Sequence, residues 1–74
     1  MARPLITAEQ FHAELRRYGL VPTGIKRTHI EVWRRSGTNV DGTVPVLIGF
    51  VPQELLVEVL RQFGLNYILP DNVN

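Results

Sequence analysis

One histidine, the chain's only tryptophan and four cations fall within eleven consecutive residues, IKRTHIEVWRR, Ile25–Arg35. Histidine is the side chain whose ordinary pKa lets it take up or release a proton near neutrality. With cations beside it, the chemistry within reach is cleavage of RNA without a metal. A base removes the 2′-OH proton, the oxygen attacks the adjacent phosphorus, and neighbouring positive charge holds the phosphate. On this reading His29 is the acid/base group. Lys26, Arg27 and Arg35 hold phosphate, and the Thr28 hydroxyl orients one. Trp33 offers a stacking surface for a splayed base, worth roughly 1–3 kcal/mol where it occurs. Arg34 adds to the same cationic footprint.

The charge distribution supports an anionic partner. Net charge is only +1, yet residues 16–35 carry six cations against Glu31 alone, a net of +5, while residues 41–74 carry Arg61 against four acids, a net of −3. A basic block inside a near-neutral chain points to one face built for an anion. The bland alternative is a solvated surface. Arg16 and Arg17 suit the end of a helix dipole whatever the function. His12 flanks an apolar stripe and is expected to face solvent. Trp33 could equally be a buried anchor or a protein-interface residue.

Size and composition narrow the class. Seventy-four residues make one domain, 1–74; a chain this short buries roughly 60% of its unfolded surface and builds one core. There are no cysteines, which removes disulfides and thiolate metal sites and leans toward a reducing, cytoplasmic setting. Two histidines without cysteine make a poor zinc set, so no metal and no cofactor is expected. The N-terminal stretch lacks the apolar run of a signal peptide. No segment reaches the roughly 20 apolar residues of a membrane span, so no membrane partner is expected.

The elements that would position these residues can be read from caps and periodicity. Thr7 and Gln10 fit a capping box, with Ile6 and Phe11 as a staple. Phe11, Leu15 and Tyr18 repeat at helical spacing, and Gly19 fits the left-handed position after the helix. A second helix is expected to start at Pro52, carry Leu55, Leu56, Val59, Leu60 and Phe63 on one face, and end at Gly64. Between the helices the period changes to two. A weak strand spans Val21–Lys26, a second follows His29, and Val44–Ile48 forms a third. Ser36–Gly42 is the turn before the last. The expected fold is α+β, in the order α-β-β-β-α, a three-stranded antiparallel sheet with both helices on one face. Alternation places Ile30 and Val32 toward the helices, and His29, Glu31, Trp33 and Arg35 on the open face. Residues 66–74 are expected to form a loosely ordered tail.

The ordered set YGL at 18–20, RTH at 27–29, TVPV at 43–46 and VLRQFGL at 59–65 resembles the HicA family of toxin–antitoxin ribonucleases. The resemblance spans roughly residues 7–65. It implies a fold related to double-stranded RNA-binding domains, an mRNA-cleaving toxin activity, and a HicB-type antitoxin as protein partner beside RNA. The family's catalytic histidine falls on His29 and its serine on Thr28. Its glycine falls on Arg27, a departure, since glycine permits close backbone approach and unusual dihedrals. Two further readings stay open. One is a non-catalytic phage- or plasmid-encoded inhibitor or adaptor of the same fold, binding a nucleic-acid-handling protein. The other is a nucleic-acid binder without chemistry.

Overall fold

The computed structural model describes residues 4–67. The element order is β1 (Leu5–Thr7), α1 (Ala8–Arg17), β2 (Leu20–Lys26), β3 (Ile30–Arg35), β4 (Asp41–Pro45), β5 (Phe50–Pro52) and α2 (Leu55–Arg61). The fold is α+β. Strands β2, β3 and β4 form an antiparallel sheet in that order, and β1 pairs with β5 in a second, two-stranded ribbon. Most of the expected 66–74 tail, residues 68–74, lies outside the described residues. Among the described residues no helix is long and apolar enough to cross a membrane.

The caps form as their residues dictate. Gln10 N donates to Thr7 Oγ1 at 3.0 Å, and Thr7 N donates to Gln10 Oε1 at 2.9 Å. Two of the helix's orphan N–H groups are satisfied reciprocally. At the end of α2, Leu65 N donates to Leu60 O at 3.1 Å and Gly64 N to Arg61 O at 3.0 Å. Gly64 holds φ +73° there, a left-handed value that glycine adopts without a Cβ penalty.

The second helix starts later than its proline suggests. Pro52 lies in β5, opposite Leu5, and α2 begins only at Leu55. The pairing is long-range: Ile6 is matched with Val51, and the ribbon is closed at its ends by Gln53 N to Pro4 O and Ala8 N to Gly49 O, both 3.0 Å. The expected third strand is shifted too. It runs Asp41–Pro45, so the turn before it gives up Asp41 and Gly42. Beyond Pro45 one more bond, Val46 N to His29 O at 3.0 Å, continues the pairing before the chain leaves for β5.

Both helices pack on the sheet face that carries Leu20, Trp33 and Val44, which join Phe11, Leu15, Val51, Leu56, Val59, Leu60 and Phe63 in one core. This inverts the expected phase of β3. Register places Trp33 beside Pro22 and Gly42, and Glu31 beside Val44; directly opposed residues share a face. Trp33 is 1% exposed, while Ile30 and Val32 sit on the outer face, half-buried. The size of the indole explains the choice. A buried aromatic removes about 150–250 Å² from water, roughly 4–6 kcal/mol at about 25 cal/mol/Å². Two smaller aliphatics tolerate partial exposure on the outer face.

Candidate nucleic-acid interface

The residues singled out for RNA contact divide into three groups in the folded chain. Lys26 ends β2, and Arg27, Thr28 and His29 form the turn that leads into β3; all four are exposed. Arg27 N donates to Ile30 O at 2.8 Å, closing the turn, and the His29 carbonyl accepts from Val46 N. The main chain of the histidine is therefore held at its carbonyl, inside a turn closed by its neighbours. No hydrogen bond or ion pair ties the side chains of Arg27, Thr28 or His29 to another described residue. Lys26 Nζ lies 3.7 Å from Glu31 Oε2, with the lysine side chain still 69% exposed.

Trp33 forms the second group by itself. Its place on an open stacking face is overturned, because α1 covers it. The His12 ring lies on the indole at a centroid distance of 5.4 Å and an interplanar angle of 35°. The Arg16 guanidinium carbon sits 5.6 Å from the indole centroid, within reach of a cation–π contact. Trp33 Nε1 donates to Glu31 Oε1 at 3.2 Å, so the indole's polar end is satisfied in the interior. No nucleobase reaches this ring. His12 is likewise not turned out to solvent: its Nε2 is buried, with no hydrogen-bond partner among the described residues.

Arg34 and Arg35 form the third group, at the far end of β3. Five to six residues of strand separate them from His29, about 17–20 Å, and they project to opposite faces. Arg34 binds Asp41 through two bonds, Nε to Oδ1 at 2.7 Å and Nη2 to Oδ2 at 3.1 Å. The Arg34 hydrogen bond holds the Asp41 carboxyl below the ordinary carboxylate value, and the arginine is raised in turn by the same bond. Arg35 Nη1 donates to the Phe63 carbonyl at 3.2 Å, just past the end of α2. That carbonyl is one of those a helix end leaves without an internal partner, so Arg35 has a structural task.

The candidate interface thus contracts to the β2–β3 turn. A shallow groove of about 210 Å³ runs beside it, lined by Pro22, Gly24, Ile25, Lys26, Glu31 and Val32. Gly24 bends β2 at this point with φ +92°, where the β2–β3 register also shifts between Pro22 and Lys26. The turn offers an imidazole, a hydroxyl, a guanidinium and an ammonium group within four residues. Such a set can contact a phosphate and exchange a proton with an adjacent hydroxyl. The role of Glu31 was not legible in the sequence, although its place two residues before Trp33 on one strand face was a usable signal.

No protein-family model, no curated protein and no solved structure matches the chain.

Proposed function

We propose that the chain is a HicA-like endoribonuclease toxin whose working surface is the β2–β3 turn, with His29 as general base. The observation that carries this reading is the exposed Lys26–His29 turn, in which the His29 main chain is anchored and its side chain is unengaged among the described residues. His29 takes the proton of a 2′-OH; O2′ forms a bond to the adjacent phosphorus as the bond to O5′ breaks. The leaving oxygen takes a proton from water, and the products are a 2′,3′-cyclic phosphate end and a 5′-hydroxyl end. Arg27 and Lys26 offset charge on the phosphate, and Thr28 donates to one of its oxygens. A HicB-type antitoxin would neutralise the protein by covering this turn.

The test is cleavage of RNA by the purified chain beside a His29→Ala variant. General acid–base catalysis is worth about 10²–10⁴-fold, so the variant is expected to lose that much rate while keeping its fold. Equal rates, or no cleavage by the folded wild type, sink the catalytic assignment. The second reading, a non-catalytic inhibitor or adaptor, is favoured by one observation: Leu5, Ile48 and Phe50 are strongly exposed. Folded wild-type protein without cleavage would favour it.

A further inference from the structure

The one acid of the basic block is brought to the turn by an irregularity of the sheet. Residues 16–35 hold six cations and a single acid, Glu31. Pro22 lies opposite Trp33, and a regular ladder continued from that pair would set Gly24 opposite Glu31. Instead the register shifts between Pro22 and Lys26, and Lys26 takes the place opposite Glu31. Gly24 holds its left-handed φ of +92° within the shift, a value glycine adopts freely. The Thr23 hydroxyl ties the irregular stretch together, donating to Val32 O at 2.9 Å and accepting from Ile25 N at 3.2 Å. Directly opposed residues share a face, so the bulge is what sets the ammonium against the carboxylate.

The two oxygens of Glu31 serve different partners. Oε1 accepts from Nε1 of the buried Trp33 at 3.2 Å. Oε2 lies 3.7 Å from Lys26 Nζ, and the Glu31 side chain is 19% exposed against 69% for the lysine. The carboxylate is therefore the fixed member of the pair and the lysine the movable one. An exposed pair of this kind is weak, and an RNA phosphate offers the lysine a competing anion. A phosphate and a carboxylate crowded on one ammonium repel each other. Phosphate takes Lys26 as the lysine leaves Glu31.

We infer that Glu31 is a positioning residue of the β2–β3 turn: anchored by the Trp33 indole, it holds Lys26 back in the free chain and so sets how tightly the turn binds RNA phosphate. The inference rests on the reading of this turn as the RNA-contact surface and asks nothing of His29. Arg27 meets a phosphate directly, whereas Lys26 must be drawn from the carboxylate.

The experiment measures binding of a short single-stranded RNA whose 2′-hydroxyls are methylated, so that O2′ cannot attack. The full chain is compared with Glu31→Gln, Lys26→Gln and the double variant over a range of salt. Glutamine keeps an oxygen for the indole N–H and removes the charge. Glu31→Gln is expected to bind about three- to fivefold more tightly, the equivalent of a strong exposed ion pair. Its salt dependence is expected to steepen by about 0.7 in log–log slope, one phosphate's share on a single strand. In the Lys26→Gln background the same change is expected to gain clearly less, because no lysine is left to release. With unmethylated RNA the gain is expected in KM rather than in kcat, since the pair breaks on binding, before the chemical step. A retained indole Nε1–H resonance shows that each variant is folded around Trp33.

The wild type supplies a reading that needs no variant. Saturation with the methylated RNA is expected to move the Glu31 carboxyl carbon resonance as Lys26 departs. An unmoved carboxyl resonance while the turn amides shift, an equal gain with and without Lys26, or no gain in folded Glu31→Gln overturns the inference. Absence of RNA binding by the wild type overturns it as well. Binding without cleavage, with a gain that depends on Lys26, removes the ribonuclease reading and leaves this one standing; cleavage with no gain does the reverse.

Discussion

The Phe63 ring lies directly on Gly42, so that a Cβ added at Gly42 would stand 2.7 Å from Phe63 Cζ and 2.9 Å from Cε2. Phe63 is itself 2% exposed and belongs to the core, which leaves the ring little room to retreat. Gly42→Ala is therefore expected to destabilise the fold by about 1–3 kcal/mol, the usual range for overpacking. A lower urea midpoint at an unchanged slope would show it. An unchanged midpoint would mean that α2 slides over β4 without resistance.

Arg35 secures the same junction. Its bond to the Phe63 carbonyl adjoins the amide of Gln62, which accepts from Thr43 N at 3.0 Å and donates to Thr43 O at 2.8 Å. Gln62 thereby pairs main-chain groups on the outer edge of β4, an edge otherwise open to strand addition. Loss of a hydrogen bond of this type costs about 1 kcal/mol. Arg35→Ala is expected to lower stability by that order and leave RNA cleavage per folded molecule unchanged. Arg27→Ala is expected to do the reverse. A cleavage defect in Arg35→Ala at full folding would return Arg35 to the RNA-contact set.

The contrast between Arg35 and Thr7 shows where the sequence is legible. Capping is local: Thr7, Gln10, Gly19 and Gly64 each act within a few residues of the backbone they satisfy, so the helix ends can be read directly. The phase of β3 is not local. Ile30 and Val32 alternate with Glu31, Trp33 and Arg35, and either set suits a half-buried strand. What decides is the volume of the indole, the Glu31 carboxylate that takes its N–H, and Phe63, 28 residues further on, whose carbonyl receives Arg35. The β1–β5 ribbon is hidden for the same reason. Pro52 looks like a helix start until Leu5, from the other end of the chain, is found opposite it. Of the candidate site, the exposure of His29 was legible, but alternation put it on a strand face, whereas β3 begins only at Ile30 and His29 lies in the turn before it; the fates of Trp33, Arg34 and Arg35 depended on contacts across the fold.

Trp33 is the chain's single tryptophan, so its fluorescence reports one environment. The ring is sealed between α1 and the sheet, with His12 and Arg16 against it. Emission is expected to be blue-shifted and protected from iodide, and RNA is expected to leave it unquenched. Quenching by RNA with the fold intact would require α1 to uncover the indole and would restore the stacking role.

Arg34 and Asp41 give a defined pH response. The Arg34 hydrogen bond lowers the Asp41 pKa in the folded chain, against a smaller opposing effect of desolvation. A depressed carboxyl contributes stability above its unfolded value and loses it as pH falls through the folded one. The pair is therefore intact at neutrality and weakens only in acid, below the ordinary carboxylate range. Following the Asp41 carboxyl carbon by NMR should place its midpoint below that range, and Arg34→Ala should raise it. Because the pair is exposed, its effect on neutral-pH stability is expected to be small. A midpoint that Arg34→Ala leaves in place would remove the bond from the account.

His12 holds the one buried side-chain nitrogen without a partner among the described residues. Its ring still contributes, stacked on Trp33 and edge-on to Phe11 at 6.5 Å. A buried polar atom left unpaired costs about 1–3 kcal/mol, and phenylalanine keeps the aromatic contact without that atom. His12→Phe is therefore expected to stabilise the chain by up to about 1 kcal/mol, part of the gain being offset by fitting a larger ring. His12→Ala removes both the unpaired nitrogen and the stack and is expected to be less stable than His12→Phe. Urea denaturation of the three proteins orders them. If His12→Phe falls below the wild type while His12→Ala does not, the site is too tight for the larger ring. If both fall below it, Nε2 has a partner in solution, and the histidine is retained at this position for the bond it makes.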